Sequence, residues 1–475
     1  MGSVADDGGK RKPSLLTTRR DGPQAVIPTG DVVRQVWVLA WPAMTHMLLL
    51  TLVFLVNRAM VGRYAVTALA ATQICTSIAW SIISVFGASS SGTLAVVARA
   101  VGAGDRALAA AAARASLVFA AGLGVVVAVV MLSAEGALLR LLFPRAGAEV
   151  LAQADGYLRI VLPVLPLAFM EAVAAAALQG AGDTRTPLLA AVLGNLVNVA
   201  LSAWLIFGGL GVPALGLRGA AVGAAATMAI EGLLLTAALM ARSSPLPLLT
   251  RGGDALGEGF RPALGRVLRV ALPAFAERLT YQAGYVGFVA MIGLLGAAAM
   301  AANQALVSIE GICFFSADGF GVAAAALVAQ KLGAGQLSEA ARTGRTAAWM
   351  AVCLLSAFGV VFALVPRLLM VAFSSEPEIV ALGARSLYVA ALAQPFMAFA
   401  MVTSMALRGA GATRQVLVVT LLSSFAVRLA ATWVFAIELD LGLVGVWMGS
   451  TADWVIRTAL LAVIWARGRW REVSV

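Results

Sequence analysis

Residues 177–185, ALQGAGDTR, and residues 406–414, ALRGAGATR, are two copies of one motif in a single chain. Seven of the nine positions are identical, and the copies lie 229 residues apart. Towards the amino terminus, residues 68–78, ALAATQICTSI, align with residues 299–309, AMAANQALVSI, at an offset of 231. Collinear repeats at a nearly constant offset are typical of a duplicated architecture. The repeat therefore predicts two similar lobes in one chain.

The chain is apolar enough to cross a membrane many times. Of its 475 residues, 61% are hydrophobic and 12% are charged, which is about half the charged fraction of a soluble protein. A bilayer core takes about 20 apolar residues as a helix, and the sequence contains twelve such segments. They lie near residues 36–60, 66–98, 108–134, 156–180, 187–208, 217–241, 268–295, 298–330, 346–372, 380–407, 415–437 and 442–466. We predict an all-α polytopic membrane protein with twelve transmembrane helices in two six-helix pseudo-symmetric lobes around a central cleft.

Composition and charge predict the domains and the orientation. Basic residues concentrate in the amino-terminal tail and in every second connection, which predicts that both termini are cytoplasmic. We therefore expect a multi-pass protein of the cell (inner) membrane. The predicted order is a disordered cytoplasmic tail (1–34), an amino lobe (35–241), a cytoplasmic linker (242–263), a carboxyl lobe (264–467) and a cytoplasmic tail (468–475).

Several function classes are excluded. The net charge of +11 would suit nucleic acid, but the sequence lacks a basic face with the motifs to match. A single histidine, three scattered cysteines and the absence of a GxxxxGK[ST] motif argue against multi-histidine metal sites, disulfides and ATP hydrolysis. We expect no enzyme activity, no cofactor and no nucleic-acid partner, and we expect a monomer in the bilayer.

Short motifs in both lobes resemble one transporter family. They are VNRAMVGR (56–63), LQGAGDTRTP (178–187), GNLVNVALSAWLIFG (194–208), VAQKLGAG (328–335) and LRGAGATR (407–414). They are similar to signature regions of the MATE (multidrug and toxic compound extrusion) transporters. The resemblance implies a two-lobe exporter that couples outward movement of organic cations, or other amphipathic small molecules, to inward movement of H⁺ or Na⁺.

Ionisable residues within spans are candidates for ion coupling, because burying charge in a bilayer is costly. Glu277 follows Pro273 by four residues, as in the resembling family, and Tyr281 is placed to hydrogen-bond it. An alternative is that Glu277 forms an ion pair with an arginine of another helix. Glu310 also resembles a family position, and Asp318 is two turns further on; helix–helix hydrogen bonding is the alternative for both. Na⁺ at Glu277 and Glu310 is the only metal ion that we expect.

The repeat places His46 opposite Glu277, each four residues after its proline. Pseudo-symmetric lobes would let both face the cleft, so His46 is a further coupling candidate. A buried packing residue is the alternative. Among the other ionisable residues in spans, Asp453 and Arg457 are spaced for an intrahelical pair, and Glu171 either lines the cleft or bonds within its lobe.

The amino lobe departs from the family pattern. Asn57 and Ser202 stand where relatives often carry acids, so the resemblance implies that coupling rests on the carboxyl lobe. For the substrate cleft we predict a polar set consisting of Asn57, Asn195, Asn198, Tyr281, Gln282 and Gln304. The alternative function is a flippase for lipid-linked or anionic substrates, which Arg58, Arg278 and Arg428 keep open because an anion needs cationic donors.

Overall fold

The computed structural model describes residues 29–144, 147–209, 211–241, 246 and 259–473. Within these ranges the chain is helical, and the only β-structure is a single bridge between Gly209 and Val212. The α-helices are α1 (Thr29–Tyr64), α2 (Val66–Phe86), α3 (Ser90–Gly102), α4 (Arg106–Leu142), α5 (Ala148–Val161), α6 (Leu165–Gly180), α7 (Arg185–Phe207), α8 (Leu217–Met240), α9 (Phe260–Leu294), α10 (Ala297–Gly333), α11 (Leu337–Leu364), α12 (Pro366–Val371), α13 (Pro377–Gly409), α14 (Thr413–Leu421), α15 (Ala430–Trp433) and α16 (Gly442–Arg467).

The helices account for the twelve predicted spans. Ten segments of the described chain are long and apolar enough to cross a membrane, and among them α2 with α3 and α5 with α6 each form one span. The eleventh span joins α14 and α15 through π-helical turns at Leu422–Leu429 and Val434–Glu438. The remaining two spans are α9 and α16, with 35 and 26 residues. The predicted all-α membrane fold is confirmed.

The predicted domain edges meet the helices as follows. The tail predicted at 1–34 lies outside the described residues up to residue 28, and α1 already begins at Thr29. Of the predicted linker, residues 242–245 and 247–258 lie outside the described residues, and α9 begins at Phe260. Residues 474 and 475 of the second tail also lie outside them. Before these residues the chain turns back, and Trp470 stacks on Trp465 with ring centroids 4.2 Å apart.

The internal repeat reappears as repeated packing. A Cβ on Gly102 would overlap the carbonyl oxygen of Gln330, and a Cβ on Gly333 would overlap that of Arg99. Residues 99 and 102 correspond to 330 and 333 at the offset of 231, so α3 and α10 meet through two equivalent contacts. Only glycine permits this backbone approach. The two lobes are therefore packed together where α3 and α10 end.

The first helix of each lobe begins in the hydrophobic core of the opposite lobe. Val36 of α1 packs in the core formed mainly by α10, α11 and α13. Val267 of α9, at the equivalent repeat position, packs in the core of the amino lobe. The exchange places the later turns of α1 and α9, which carry His46 and Glu277, against their own lobes.

Candidate functional site: buried charges in the two lobes

Glu277 of α9 is held by an arginine of another helix. Arg408 of α13 donates from Nε to Oε2 at 3.0 Å and from Nη2 to Oε1 at 2.6 Å. The Oγ1 of Thr420 in α14 donates to Oε1 at 3.0 Å. This bidentate pair is the stronger class of charged hydrogen bond. Among the two interpretations of Glu277, the structure shows the ion pair.

A second charged group lies across the eleventh and twelfth spans. Asp453 accepts from Arg428 at 2.6 Å and from Arg457 at 3.1 Å, so the predicted i,i+4 pair is confirmed and extended. The centroid of the Tyr281 ring lies 5.8 Å from Cζ of Arg428. The hydrogen bonds to Glu277 among the described residues come from Arg408 and Thr420, so the predicted Tyr281–Glu277 bond is wrong. The aromatic ring instead contacts the arginines.

Glu310 and Asp318 of α10 extend the same network. Glu310 has Gln394 of α13 and Arg428 as polar and charged neighbours. Asp318 lies near Arg278 and Arg408. The carboxyl lobe thus brings together four acids and four arginines within its spans. They are Glu277, Glu310, Asp318 and Asp453, with Arg278, Arg408, Arg428 and Arg457.

The amino-lobe asparagines link helices of their own lobe. Asn57 Nδ2 donates to Asn198 Oδ1 at 2.8 Å, and Asn198 Nδ2 donates to Thr227 Oγ1 at 3.0 Å. These bonds join α1, α7 and α8. Asn195 bonds the carbonyl of Ala191 at 2.7 Å and is buried. Of the other predicted cleft residues, Gln304 is exposed, whereas Gln282 is half-buried.

His46 meets two carboxylates that sequence analysis did not join to it. Ligand atoms of His46 in α1, Glu171 in α6 and Glu231 in α8 all lie within 4.8 Å of one another. His46 and Glu231 are each only 5% exposed. That His46 and Glu277 both face the cleft stays a prediction; in the structure His46 lies beside Glu171 and Glu231, and Glu277 contacts Arg408 and Thr420. The signal available in the sequence was the pair of acids within apolar spans.

Comparisons with known proteins agree with this architecture. A sequence model of the MatE family matches residues 42–204 and 273–434, one match in each lobe. The chain is 28% identical over 457 residues to the probable multidrug resistance protein NorM of Thermotoga maritima, covering 95% of this chain and 96% of that protein. It is 24% identical to the probable multidrug resistance protein YoeA of Bacillus subtilis, covering 86% and 88%.

Solved structures show the same fold. The outward-facing conformation of a multidrug resistance MATE family transporter of the MOP superfamily superposes with a TM-score of 0.84 at 24% identity, covering 93% of this chain and 96% of that one. The Vibrio cholerae MATE transporter VcmN in the bent form gives 0.83 at 20% identity, covering 93% and 97%. The duplicated six-helix lobes, the family match in both of them and these structures lead to one conclusion. The chain belongs to the MatE family of multidrug efflux transporters and is a multi-pass membrane protein.

Proposed function

We propose that this protein is a secondary active exporter that antiports organic cations against H⁺ or Na⁺ by alternating access of its two lobes. The family and the relatives named for multidrug resistance support the class of substrate. The observation that carries ion coupling is the ion pair of Glu277 with Arg408, because it joins α9 to α13 by a contact that a cation can replace. Glu310 and Asp318 are the other coupling carboxylates of this lobe.

In the proposed cycle the coupling cation competes with Arg408 for the Glu277 carboxylate. Once H⁺ or Na⁺ neutralises Glu277, the attraction that holds α9 to α13 is lost, and the lobe relaxes towards its alternate conformation. Departure of the cation restores the pair. Each step uses an interaction whose strength differs between two conformations, as coupling requires.

The charge network favours cationic over anionic substrates. Of the three arginines that kept an anionic substrate open, Arg428 is paired with Asp453 at 2.6 Å, and Arg278 donates to Ser84 Oγ at 2.6 Å and lies near Asp318. The third, Arg58, is exposed. An anionic or lipid-linked head group would need such donors free. The flippase alternative therefore has less support than cation export.

The orientation is part of the proposal. With both termini cytoplasmic, as the basic connections indicate, the contacts of Gly102 and Gly333 lie at the cytoplasmic end. The lobes then close towards the cytoplasm and the cleft opens outward. We propose that the protein acts as a monomer in the cell membrane.

Transport into proteoliposomes tests the function. A fluorescent organic cation is followed while a pH gradient and a Na⁺ gradient are imposed separately. We expect one gradient to drive transport in the wild type, and Glu277→Gln to reduce the driven rate by about tenfold or more, which corresponds to about 1.4 kcal/mol.

Glu339→Gln is the matched control in the same lobe. Glu339 is also a buried acid paired with an arginine, Arg342, at 3.6 Å, but it lies in the first turn of α11. The driven transport rate of Glu339→Gln should stay close to that of the wild type. Transport driven by neither gradient, or equal loss in both variants, contradicts the proposal.

A further inference from the structure

We propose that His46, Glu171 and Glu231 form a binding site for one divalent metal ion of the borderline class, typified by Zn²⁺. The site lies inside the amino lobe, on helices α1, α6 and α8. It goes beyond the proposed antiport, which places the coupling ion on carboxylates of the other lobe. From the sequence we expected no metal ion other than Na⁺ at Glu277 and Glu310.

The geometry suits a small ion. Three atoms that lie within 4.8 Å of one another always have a common point no further than 4.8/√3, or about 2.8 Å, from each. Zinc binds imidazole nitrogen and carboxylate oxygen at about 2.0–2.2 Å. Shifts of less than about 1 Å per side chain, within reach of small rotamer changes, bring all three atoms to that distance.

The charge of the cluster calls for a cation. None of the six ion pairs among the described residues involves Glu171 or Glu231. Buried carboxylates are costly unless they are paired or coordinate a metal. With a neutral imidazole, two carboxylates balance a divalent ion. His46 itself is 5% exposed, makes no hydrogen bond or ion pair with the described residues, and is directed at the two acids.

Neighbouring residues hold one ligand in place. Asn195 Nδ2 lies 3.5 Å from Glu231 Oε1, on the side from which it can donate to the carboxylate. Gly194 leaves the space that the carboxylate occupies, since a Cβ there would lie 2.6 Å from Glu231 Oε1. Partners of this kind orient the ligands of metal sites and raise their affinity.

The ligand set selects the type of metal. Imidazole suits zinc, copper, iron and nickel, whereas magnesium and calcium prefer oxygen alone. One nitrogen and two carboxylate oxygens leave a fourth position for water in a tetrahedral site. Such an ion would join the first, fourth and sixth spans, which sit in one lobe but are far apart in sequence.

Metal binding is measured on the full chain in detergent. The affinity tag must contain no histidine, because His46 is the only histidine of the chain. After chelator treatment, Zn²⁺ is titrated against a chromophoric competitor and counted by mass spectrometry. We expect one ion per chain and a loss of affinity of about 100-fold or more in His46→Gln and Glu231→Gln. Gly194→Ala, which keeps all three ligands, should lose about 10–100-fold.

Controls separate the site from adventitious binding. Glu135→Gln removes another buried acid of the amino lobe, paired with Arg159 at 2.9 Å, and should keep wild-type affinity. Co²⁺ should give a spectrum of nitrogen and oxygen ligands without a thiolate band. Zn²⁺ should also raise the melting temperature of the wild type but not that of His46→Gln.

Four results would overturn the proposal. They are substoichiometric binding in the wild type, unchanged affinity in Glu231→Gln, displacement of Zn²⁺ by an equal concentration of Mg²⁺ or Ca²⁺, and a thiolate band, which would assign the ion to cysteine. The measurements need no membrane gradient, so a failure here is distinct from a failure of the proposed antiport.

Discussion

The two lobes have similar arrangements of helices but differ in the side chains that neutralise their buried acids. In the carboxyl lobe Glu277 and Asp453 are paired with arginines at 2.6 Å. In the amino lobe Glu135 is paired with Arg159, whereas the buried Glu231 and the half-buried Glu171 lie beside His46 and form no ion pair with an arginine among the described residues. The duplicated helices therefore preserve glycine contacts and turns while the charges have diverged. The difference suggests separate tasks for the lobes: a pair that opens and closes in one, and a fixed cluster in the other.

The largest effect is expected from removing one partner of a paired acid. Arg408→Met leaves the Glu277 carboxylate buried without a cation, which costs roughly 3–5 kcal/mol. The double variant Arg408→Met/Glu277→Gln should recover much of that loss, because no charge is then left unpaired. Chemical unfolding in detergent measures both. Equal stability of the single and double variants would contradict the importance of this pair.

Substituting either glycine at the contacts between the lobes should destabilise the protein by a similar amount. Gly102→Ala and Gly333→Ala each insert a methyl group into a backbone carbonyl of the opposite helix, and overpacking of this kind costs about 1–3 kcal/mol. Spin labels on the two lobes should report a larger separation in both variants. Gly136→Ala in α4 is the control, since nothing lies within 4 Å of a Cβ there. A strong effect in only one of the two variants would show that the two glycine contacts do not contribute equally to the packing of the lobes.

A smaller effect is expected at the turns that carry the repeated motif. Asp183 accepts hydrogen bonds from the backbone N–H of Thr186 at 3.0 Å and of Arg185 at 3.1 Å, at the start of α7. Asp183→Ala should cost about 1 kcal/mol in stability. The equivalent position of the carboxyl lobe is Ala412, which is 4% exposed and offers no capping side chain. The matched control is therefore Asp183→Asn, which keeps an accepting oxygen and should lose less stability than Asp183→Ala. Thermal unfolding compares the two variants, and an equal loss in both would contradict the capping role.

The smallest change is expected from neutralising an unpaired acid. Without metal, Glu231→Gln should leave the melting temperature unchanged or raise it slightly, since it removes repulsion from Glu171. Glu277→Gln should lower it, because Arg408 loses its partner. The comparison between lobes fails if the two variants destabilise the protein equally.

Sequence predicted the periodic and local features well. The apolar segments predicted the spans because length and hydropathy alone determine whether a helix can cross a bilayer. The Asp453–Arg457 pair was predictable because four residues make one helical turn. The Tyr281–Glu277 bond followed the same local rule and was wrong, since arginines of other helices outcompete the phenol for a carboxylate.

Contacts between residues of distant segments could not be predicted from the sequence. Arg408 lies 131 residues from Glu277, and nothing in the local pattern indicates that α13 presents it to α9. The cluster in the amino lobe combines three helices, with His46 on α1, Glu171 on α6 and Glu231 on α8. These residues lie close together because α1 begins in the core of the opposite lobe and then packs against its own lobe.

By itself, the sequence determined that this protein is a duplicated bundle of twelve membrane helices with a small set of buried charges. Hydropathy and glycine spacing are properties of consecutive residues, so they can be read along the chain. Tertiary structure alone decided which charge neutralises which, because an ion pair depends on a distance of a few ångströms between helices that the chain order does not specify.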